Sequence, residues 1–221
     1  MSLSEANQDY LKAIYKLRAH GTVTTQALAD RLKVAPPSAT AMIKKLAALQ
    51  LVTHTPYYGV QLTQTGEKIA LEIIRHHRLV ETYLTEVLGL GWDQAHIEAE
   101  RWEHILSEEV EARMDAALGS PTRDPHGAAI PTLNGEIAVD DWTRLSEVSG
   151  GENLIVRRVS DENAELLGHL REIGLVPGAH VAVQRAVGAE GTLHLEIEGQ
   201  AHVFGIAPAR FVYVETLDET L

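Results

Sequence analysis

Residues 22–63, TVTTQALADRLKVAPPSATAMIKKLAALQLVTHTPYYGVQLT, decide the fold of the amino-terminal part of this chain. Ala27, Leu28 and Leu32 share one face of a short helix, and KVA (33–35) is a tight turn. A second helix starts at Pro36-Pro37, where proline is tolerated because first-turn amides have no intrahelical acceptor. On it, Ala39, Met42, Ile43, Leu46 and Leu49 fall on the inner face, while Ser38, Thr40, Ala41, Lys44 and Lys45 face out. LVTHTPYYGVQLT (51–63) reads as a strand, a glycine-bearing turn and a strand. Helix, turn, helix and hairpin make the pattern of a winged helix-turn-helix. Upstream, Ser2 and Glu5 fit an S-x-x-E cap, and Ala6, Tyr10, Ile14 and Leu17 recur at helical spacing until Gly21.

A winged helix raises the question of what it touches. The net charge of −12 argues against a polyanion, but its distribution does not. Residues 1–75 carry nine Lys/Arg against five Asp/Glu, and residues 76–221 carry ten against twenty-six. The basic end suits double-stranded DNA. The outward positions Pro37, Ser38, Thr40 and Ala41 include none of the side chains that contact guanine or adenine bidentately. Such a helix reads a major groove through thymine methyls, single hydroxyl bonds and duplex shape. Lys44, Lys45 and the wing residues Tyr57 and Tyr58 are the expected phosphate contacts, with Thr25 and Gln26 from the preceding helix. The alternative is a winged helix used for protein contacts alone.

Composition narrows the chemistry further. The chain has 221 residues, 45% hydrophobic and 23% charged, as in an ordinary soluble protein. No apolar run approaches the roughly 18 residues of a membrane span. MSLSEANQDY lacks the features of a signal peptide, so the expected compartment is the cytoplasm. Without cysteine there is no disulfide, thiolate nucleophile or zinc finger. A metal here must be held by oxygen and imidazole nitrogen.

Such donors cluster in EAERWEHILSEEVE (98–111), which holds six carboxylates and a histidine. At about 100° per residue, His96, Glu100, Glu103 and His104 share one sector of a helix expected from about Asp93 to Leu118. Repulsion between like charges at this spacing weakens a bare helix, so either water screens them or a cation sits among them. The preceding helix, expected from about Gly66 to Leu88, repeats the theme. Its apolar stripe of Ala70, Ile74, Leu84 and Leu88 is interrupted by His77 and Glu81, at i, i+4. A buried carboxylate needs a partner or takes up a proton. Two helices offering His and Glu in this way can enclose divalent cations. The histidines at 20, 54, 76, 126, 169, 180, 194 and 202 show no comparable grouping and read as surface residues.

Beyond a Pro-, Gly- and Asp-rich stretch (119–142) come five short alternating strands: NLIVRRVS, HVAVQRAV, TLHLEIEG, QAHVFGIA and FVYVET. One helix (about 163–173) lies between the first two, and the set predicts a small β-barrel. The fold class is therefore mainly α with a small all-β carboxy-terminal domain. The expected domains are a winged helix over 1–65, a helical metal-binding and dimerisation domain over 66–131, a linker over 132–144 and the barrel over 145–221.

The winged helix, RHHRLVETYL (75–84), HIEAERWEHILSEEVEARM (96–114) and DPHGAAIP (124–131) together resemble the DtxR/MntR family of metal-dependent bacterial transcription regulators. LREIGLVPGAHVAV (170–183) resembles the FeoA-type barrel that many members carry. The resemblance implies a homodimer that binds operator DNA and most often represses metal-uptake genes. It implies a primary metal site of Asp9, Glu100, Glu103 and His104, and a second of His77, Glu81 and His96, to which Glu162 or Glu165 of DENAE is a candidate addition. Asp9 and Glu100 stand where iron-sensing members carry Met and Cys, and harder ligands favour Mn²⁺, with Fe²⁺ the alternative. Lys12 stands where some manganese sensors place a further Glu, which argues against a closely coupled two-metal site of that type. Two rivals from other classes are a carboxylate-bridged metalloenzyme, separable by turnover, and a winged-helix regulator of an organic ligand, separable by indifference to chelator.

Overall fold

The computed structural model describes residues 3–55, 58–161, 163–187 and 191–217. The chain divides into two compact units, one of Met1–His77, Glu100–Glu111 and Pro131–Ile137, the other of Arg78–Ala99, Ala112–Ile130 and Ala138–Leu221.

The first unit opens with helix α1 (Glu5–Leu17), whose N-cap is Ser4; Ser2 lies outside the described residues. A 3₁₀ turn (Arg18–His20) and Gly21 end it. Helix α2 (Thr25–Leu32) is capped by Thr24 Oγ1, which accepts from the Ala27 amide at 3.0 Å. Helix α3 (Pro36–Ala48) begins with its two prolines and buries Ala39, Ile43 and Leu46. Strands β1 (Val52–Thr55) and β2 (Gly59–Leu62) pair antiparallel, with Val52 opposite Leu62 and Thr55 opposite Gly59. Gly59 has a φ of +74° and a Cβ there would collide with the Val23 carbonyl, so glycine is required where the wing docks. Leu11, Ile14, Leu28, Ile43, Leu46 and Ala70 join these elements in one core.

Helix α4 (Gln64–Glu86) follows, then α5 (Trp92–Trp102) and α6 (Glu108–Ala117). The single helix expected over 93–118 is therefore two. At the break the Glu103 carbonyl accepts from His76 Nδ1 at 3.0 Å, and Ser107 starts the second helix, its Oγ accepting from the Val110 amide at 3.4 Å.

In the second unit, β3 (Thr143–Arg144) precedes a 3₁₀ turn (Leu145–Glu147), β4 (Glu152–Val159), α7 (Ala164–Glu172), β5 (His180–Val187), β6 (Thr192–Ile197), β7 (Gln200–Gly205), α8 (Ile206–Ala209) and β8 (Val212–Thr216). The strands form one antiparallel sheet in the order β3-β8-β4-β5-β6-β7. The closed barrel expected from the alternation is not made, because no pairing joins β3 to β7 among the described residues. Strand β3 has only two residues, and the short α8 packs against both β7 and the 3₁₀ turn. Leu154, Val156, Leu167, Leu170, Val183, Leu193, Leu195 and Val212 fill this unit's core, and β6 alternates buried and half-buried positions as a half-covered strand should. No helix among the described residues is long and apolar enough to cross a membrane.

Candidate metal centres

Two clusters of acidic and imidazole side chains emerge, one in each unit. In the first, α1 contributes Asp9 and Lys12, α4 contributes His77, α5 contributes Glu100, and the turn that follows contributes Glu103 and His104. Glu103 is 0% exposed and His77 2%. His104 Nε2 lies 3.1 Å from Asp9 Oδ1 and 3.5 Å from Glu103 Oε1. Its other nitrogen, Nδ1, donates to Gln8 Oε1 at 2.7 Å, which fixes the ring and leaves Nε2 facing the carboxylates. On the other side of Glu103, His77 Nδ1 lies 2.6 Å from Oε2 and 3.6 Å from Glu100 Oε1. Between these groups stands the Lys12 ammonium, donating to Glu100 Oε1 at 2.7 Å and to both oxygens of Glu103 at 2.9 and 2.7 Å.

The electrostatics follow from this crowding. Burial together with the charges of Glu103 and Glu100 holds the Asp9 carboxyl above its ordinary range, against the pull of His104 and Lys12. Burial acts to lower the Lys12 pKa, but Glu103 and Glu100 outweigh it and raise it above the usual lysine value. Burial likewise opposes ionisation of Glu100, yet Lys12 and His77 bring it down to about 2. Behind the cluster, Arg75 Nε donates to Glu111 Oε1 at 2.6 Å, and Glu111 Oε2 lies 3.3 Å from His76 Nε2. The imidazole that donates to the Glu103 carbonyl is thus itself anchored.

The second cluster gathers Glu81, His96, Asp124 and His126. His96 Nδ1 donates to Glu81 Oε1 at 2.8 Å, and His126 Nδ1 stands 3.5 Å from Glu81 Oε2. Asp124 Oδ1 accepts from the amides of His126 and Ala128, both at 2.9 Å, which folds the DPHGAA loop into a tight turn. Gly127 sits in that turn with φ +82°, and a Cβ on it would meet the Arg157 carbonyl. His126 is 1% exposed, packs edge-on to Trp92 at 4.8 Å, and neither of its ring nitrogens makes a hydrogen bond among the described residues. Burial and the Glu81 charge raise the Asp124 carboxyl, against the Arg78 guanidinium 3.4 Å away. Burial acts to lower His126, but Glu81 and Asp124 overcome it and raise it.

Oxygen and imidazole donors converge in both places, and each arrangement suits a hard or borderline divalent cation. Asp9, Glu103 and His104 offer one set of donor atoms, and Glu81, Asp124 and His126 offer another. The buried ring nitrogens of His126, which make no hydrogen bond among the described residues, are donors that could serve such a cation in the second set.

The residues read from the sequence are distributed as follows. Asp9, Glu100, Glu103 and His104 come together in the first cluster, and His77 joins them. Glu81 and His96 meet in the second. Glu165 is exposed on α7 and belongs to neither donor set among the described residues, whereas Asp161 of the same segment contributes to raising both Asp124 and His126. Glu162 and Tyr57 lie outside the described residues. His76 and His126, expected at the surface, are buried: His76 is held between the Glu103 carbonyl and Glu111, and His126 packs edge-on to Trp92 beside Glu81. The sequence pattern assigns Asp124 no role and puts His126 at the surface, although their D-x-H spacing in a glycine-bearing loop is a signal for the second cluster. On the DNA side, Pro37, Ser38, Ala41, Lys44 and Lys45 are exposed, as is Tyr58 at 73%. The Thr40 hydroxyl donates to the Pro36 carbonyl at 3.0 Å, Thr25 is half-exposed, and Gln26 is exposed and bonded to Asp30.

A winged helix joined to buried carboxylate–imidazole centres defines a class of protein, the DNA-binding regulator whose state is set by a divalent cation. Residues 2–60 match the family described as the iron dependent repressor N-terminal DNA binding domain, 63–132 the iron dependent repressor metal binding and dimerisation domain, and 143–216 the FeoA domain. The iron-dependent repressor IdeR of Mycobacterium tuberculosis is 32% identical over 214 residues, covering 91% of this chain and 92% of the relative. The diphtheria toxin repressor of Corynebacterium glutamicum is 35% identical over 164 residues, 71% of this chain and 72% of its own. Among solved structures, a manganese-dependent transcriptional repressor in complex with manganese superposes with a TM-score of 0.87 at 35% identity, covering 95% of this chain and 99% of its own. The repressor ScaR with bound Zn²⁺ gives 0.83 at 33% identity, covering 96% and 99%. The chain belongs to the iron-dependent repressor (DtxR/MntR) family of metal-dependent, DNA-binding transcriptional repressors.

Proposed function

We propose that this repressor is activated by Mn²⁺, held by Asp9, Glu100, Glu103 and His104, and that the activated homodimer closes an operator. The observation that carries the reading is the convergence of Asp9 and His104 on Glu103, with the His104 tautomer set by Gln8. Carboxylates and imidazole without sulfur favour Mn²⁺ over later transition metals, and Fe²⁺ is the alternative. When bound, the ion supplies the positive charge that lets Asp9 ionise beside Glu100 and Glu103. Asp9 lies on α1, which packs on α2 and α3, so the charge state of this carboxylate bears on how the winged helix is held. Glu81, His96, Asp124 and His126 form a second site in this reading. A population shift then links metal to DNA: whatever favours the arrangement in which Asp9 is tied to the 100–104 turn favours the spacing of paired recognition helices.

Residues 1–65 would read DNA, 66–131 sense metal and pair, and 145–221, after the linker 132–144, form the FeoA-type domain. Exposed apolar side chains on the segment matched to the dimerisation domain, among them Val87, Leu88, Ile97 and Ile105, support a homodimer. Ser38, Ala41, Lys44 and Lys45 face the duplex in this reading. The test is retardation of promoter DNA titrated in parallel with Mn²⁺, Fe²⁺ and Zn²⁺, for the wild type and for Glu103→Ala and His104→Ala. Both variants should keep a helical circular-dichroism spectrum and lose the Mn²⁺ response. Retained response in both would remove the primary-site assignment.

A further inference from the structure

Lys12 is 6% exposed and offers its ammonium to three carboxylate oxygens at 2.7 to 2.9 Å, with His77 Nδ1 at 3.5 Å. His77, Glu100 and Glu103 are themselves a convergent donor set, and the side-chain nitrogen of Lys12 sits within it. Glu103 is shared, since one face of its carboxylate meets Asp9 and His104's side of the cluster while the other meets His77. We infer that Lys12 is a permanent second cation of the first centre, filling its His77 half so that the centre takes a single divalent ion, on the Asp9–His104 half. This rests on the metal reading given above.

Charge balance supports the assignment. Asp9, Glu100 and Glu103 bring three negative charges when ionised, and one divalent ion with one ammonium neutralises them. Two divalent ions beside Lys12 would leave the buried cluster with excess positive charge, which costs heavily in a desolvated site. Remove the ammonium, and one divalent ion leaves a negative charge that draws a second. Access is not the obstacle: a cavity of about 260 Å³ opens onto Asp9, Lys12 and Glu100. What keeps a second ion out is the tethered ammonium, held by Glu100 and by both oxygens of Glu103 at 2.7 to 2.9 Å.

The test counts Mn²⁺ on the full-length wild type, Lys12→Met and Lys12→Arg, each in a Glu81→Gln background that silences the second cluster, and records their electron paramagnetic resonance. The wild type and Lys12→Arg should each hold one ion with an uncoupled spectrum. Lys12→Met should hold twice as many, with the broadening of two spin-coupled ions sharing a carboxylate. A coupled pair in the wild type, or an unchanged single ion in Lys12→Met, overturns the inference while leaving the proposed function standing. A wild type that takes up no Mn²⁺ brings both down. Should Lys12→Met fail to fold, the wild-type spectrum decides: uncoupled upholds the inference and coupled overturns it.

Discussion

Around Glu103 an ammonium from the chain itself stands between the carboxylates, whereas beside Asp124 the Arg78 guanidinium is divided between the Ala129 carbonyl and a carboxylate oxygen 3.4 Å away. The two clusters share a donor chemistry but differ in how far the protein neutralises them. In the first, Glu100 is driven toward ionisation, down to about 2. In the second, Asp124 is pushed the other way, and neither ring nitrogen of His126 makes a hydrogen bond among the described residues. The lesson is that in the first centre an ammonium of the chain itself pairs with Glu100 and Glu103, whereas the second places no lysine among its carboxylates and leaves the His126 ring nitrogens without a hydrogen bond among the described residues.

Substitutions in metal-free protein break or sharpen that contrast. Glu103→Gln removes the carboxylate that Lys12 and His77 share, and should lower stability in chelator by about 3–5 kcal/mol, the usual cost of stranding a buried charge. Denaturant unfolding measures it. A loss below about 1 kcal/mol would mean that Lys12 is not held by both oxygens of Glu103. Gln8→Ala leaves every proposed ligand in place but frees the His104 ring, and should weaken Mn²⁺ binding about 10–100-fold in a calorimetric titration. Asp124→Asn keeps an oxygen for the His126 and Ala128 amides and removes a charge that burial disfavours. It should change metal-free stability by less than about 1 kcal/mol, or raise it, while abolishing the stabilisation that Mn²⁺ confers through the second cluster.

The same contrast has a pH signature in chelator. Glu100 has a folded pKa of about 2 against an ordinary 4.5, so its contribution to stability is present above pH 4.5 and fades as the pH falls toward 2. Asp124 has a raised folded pKa, so its burial destabilises the folded protein at neutral pH, and that penalty is relieved as the pH falls through the raised value. Glu100→Gln should therefore flatten the acid limb of the stability profile, and Asp124→Asn should flatten the opposite trend just above it. The smallest effect belongs to the DNA face: Lys44→Ala and Lys45→Ala should each weaken binding evenly across sequences and reduce the salt slope by about 1.

Much of this architecture was legible in the sequence. Pro36-Pro37 and the spacing of Ala39, Ile43 and Leu46 fix the second helix of the winged motif locally, and period-2 alternation fixes the strands. Glu100, Glu103 and His104 were readable as neighbours because they fall within one turn's length of chain, while Asp9 was added to them only by the family resemblance. What was not legible depends on contacts between distant segments. The break after Trp102 does not show in the apolar pattern, which stays helical; Ser107 before Glu108 and Glu109 is the one local sign of a new start, and the bond from His76 to the Glu103 carbonyl is a tertiary contact. Sheet closure depends on what meets the edge strands, which alternation does not record. The resemblance marks Lys12 as a departure from a glutamate ligand, but that three oxygens from residues far along the chain surround its ammonium is a tertiary fact the sequence does not record.

The central claim is that metal and operator bind to one state of this repressor, so each must tighten the other by the same factor. The direct measurement is the Mn²⁺ affinity of the wild type with and without a saturating duplex, selected by the protein from random DNA in the presence of Mn²⁺, set beside the DNA affinity with and without Mn²⁺. Equal enhancements in the two titrations, both lost in His104→Ala, are the expected result. A Mn²⁺ affinity indifferent to the duplex, together with DNA binding that survives chelation, would contradict the account.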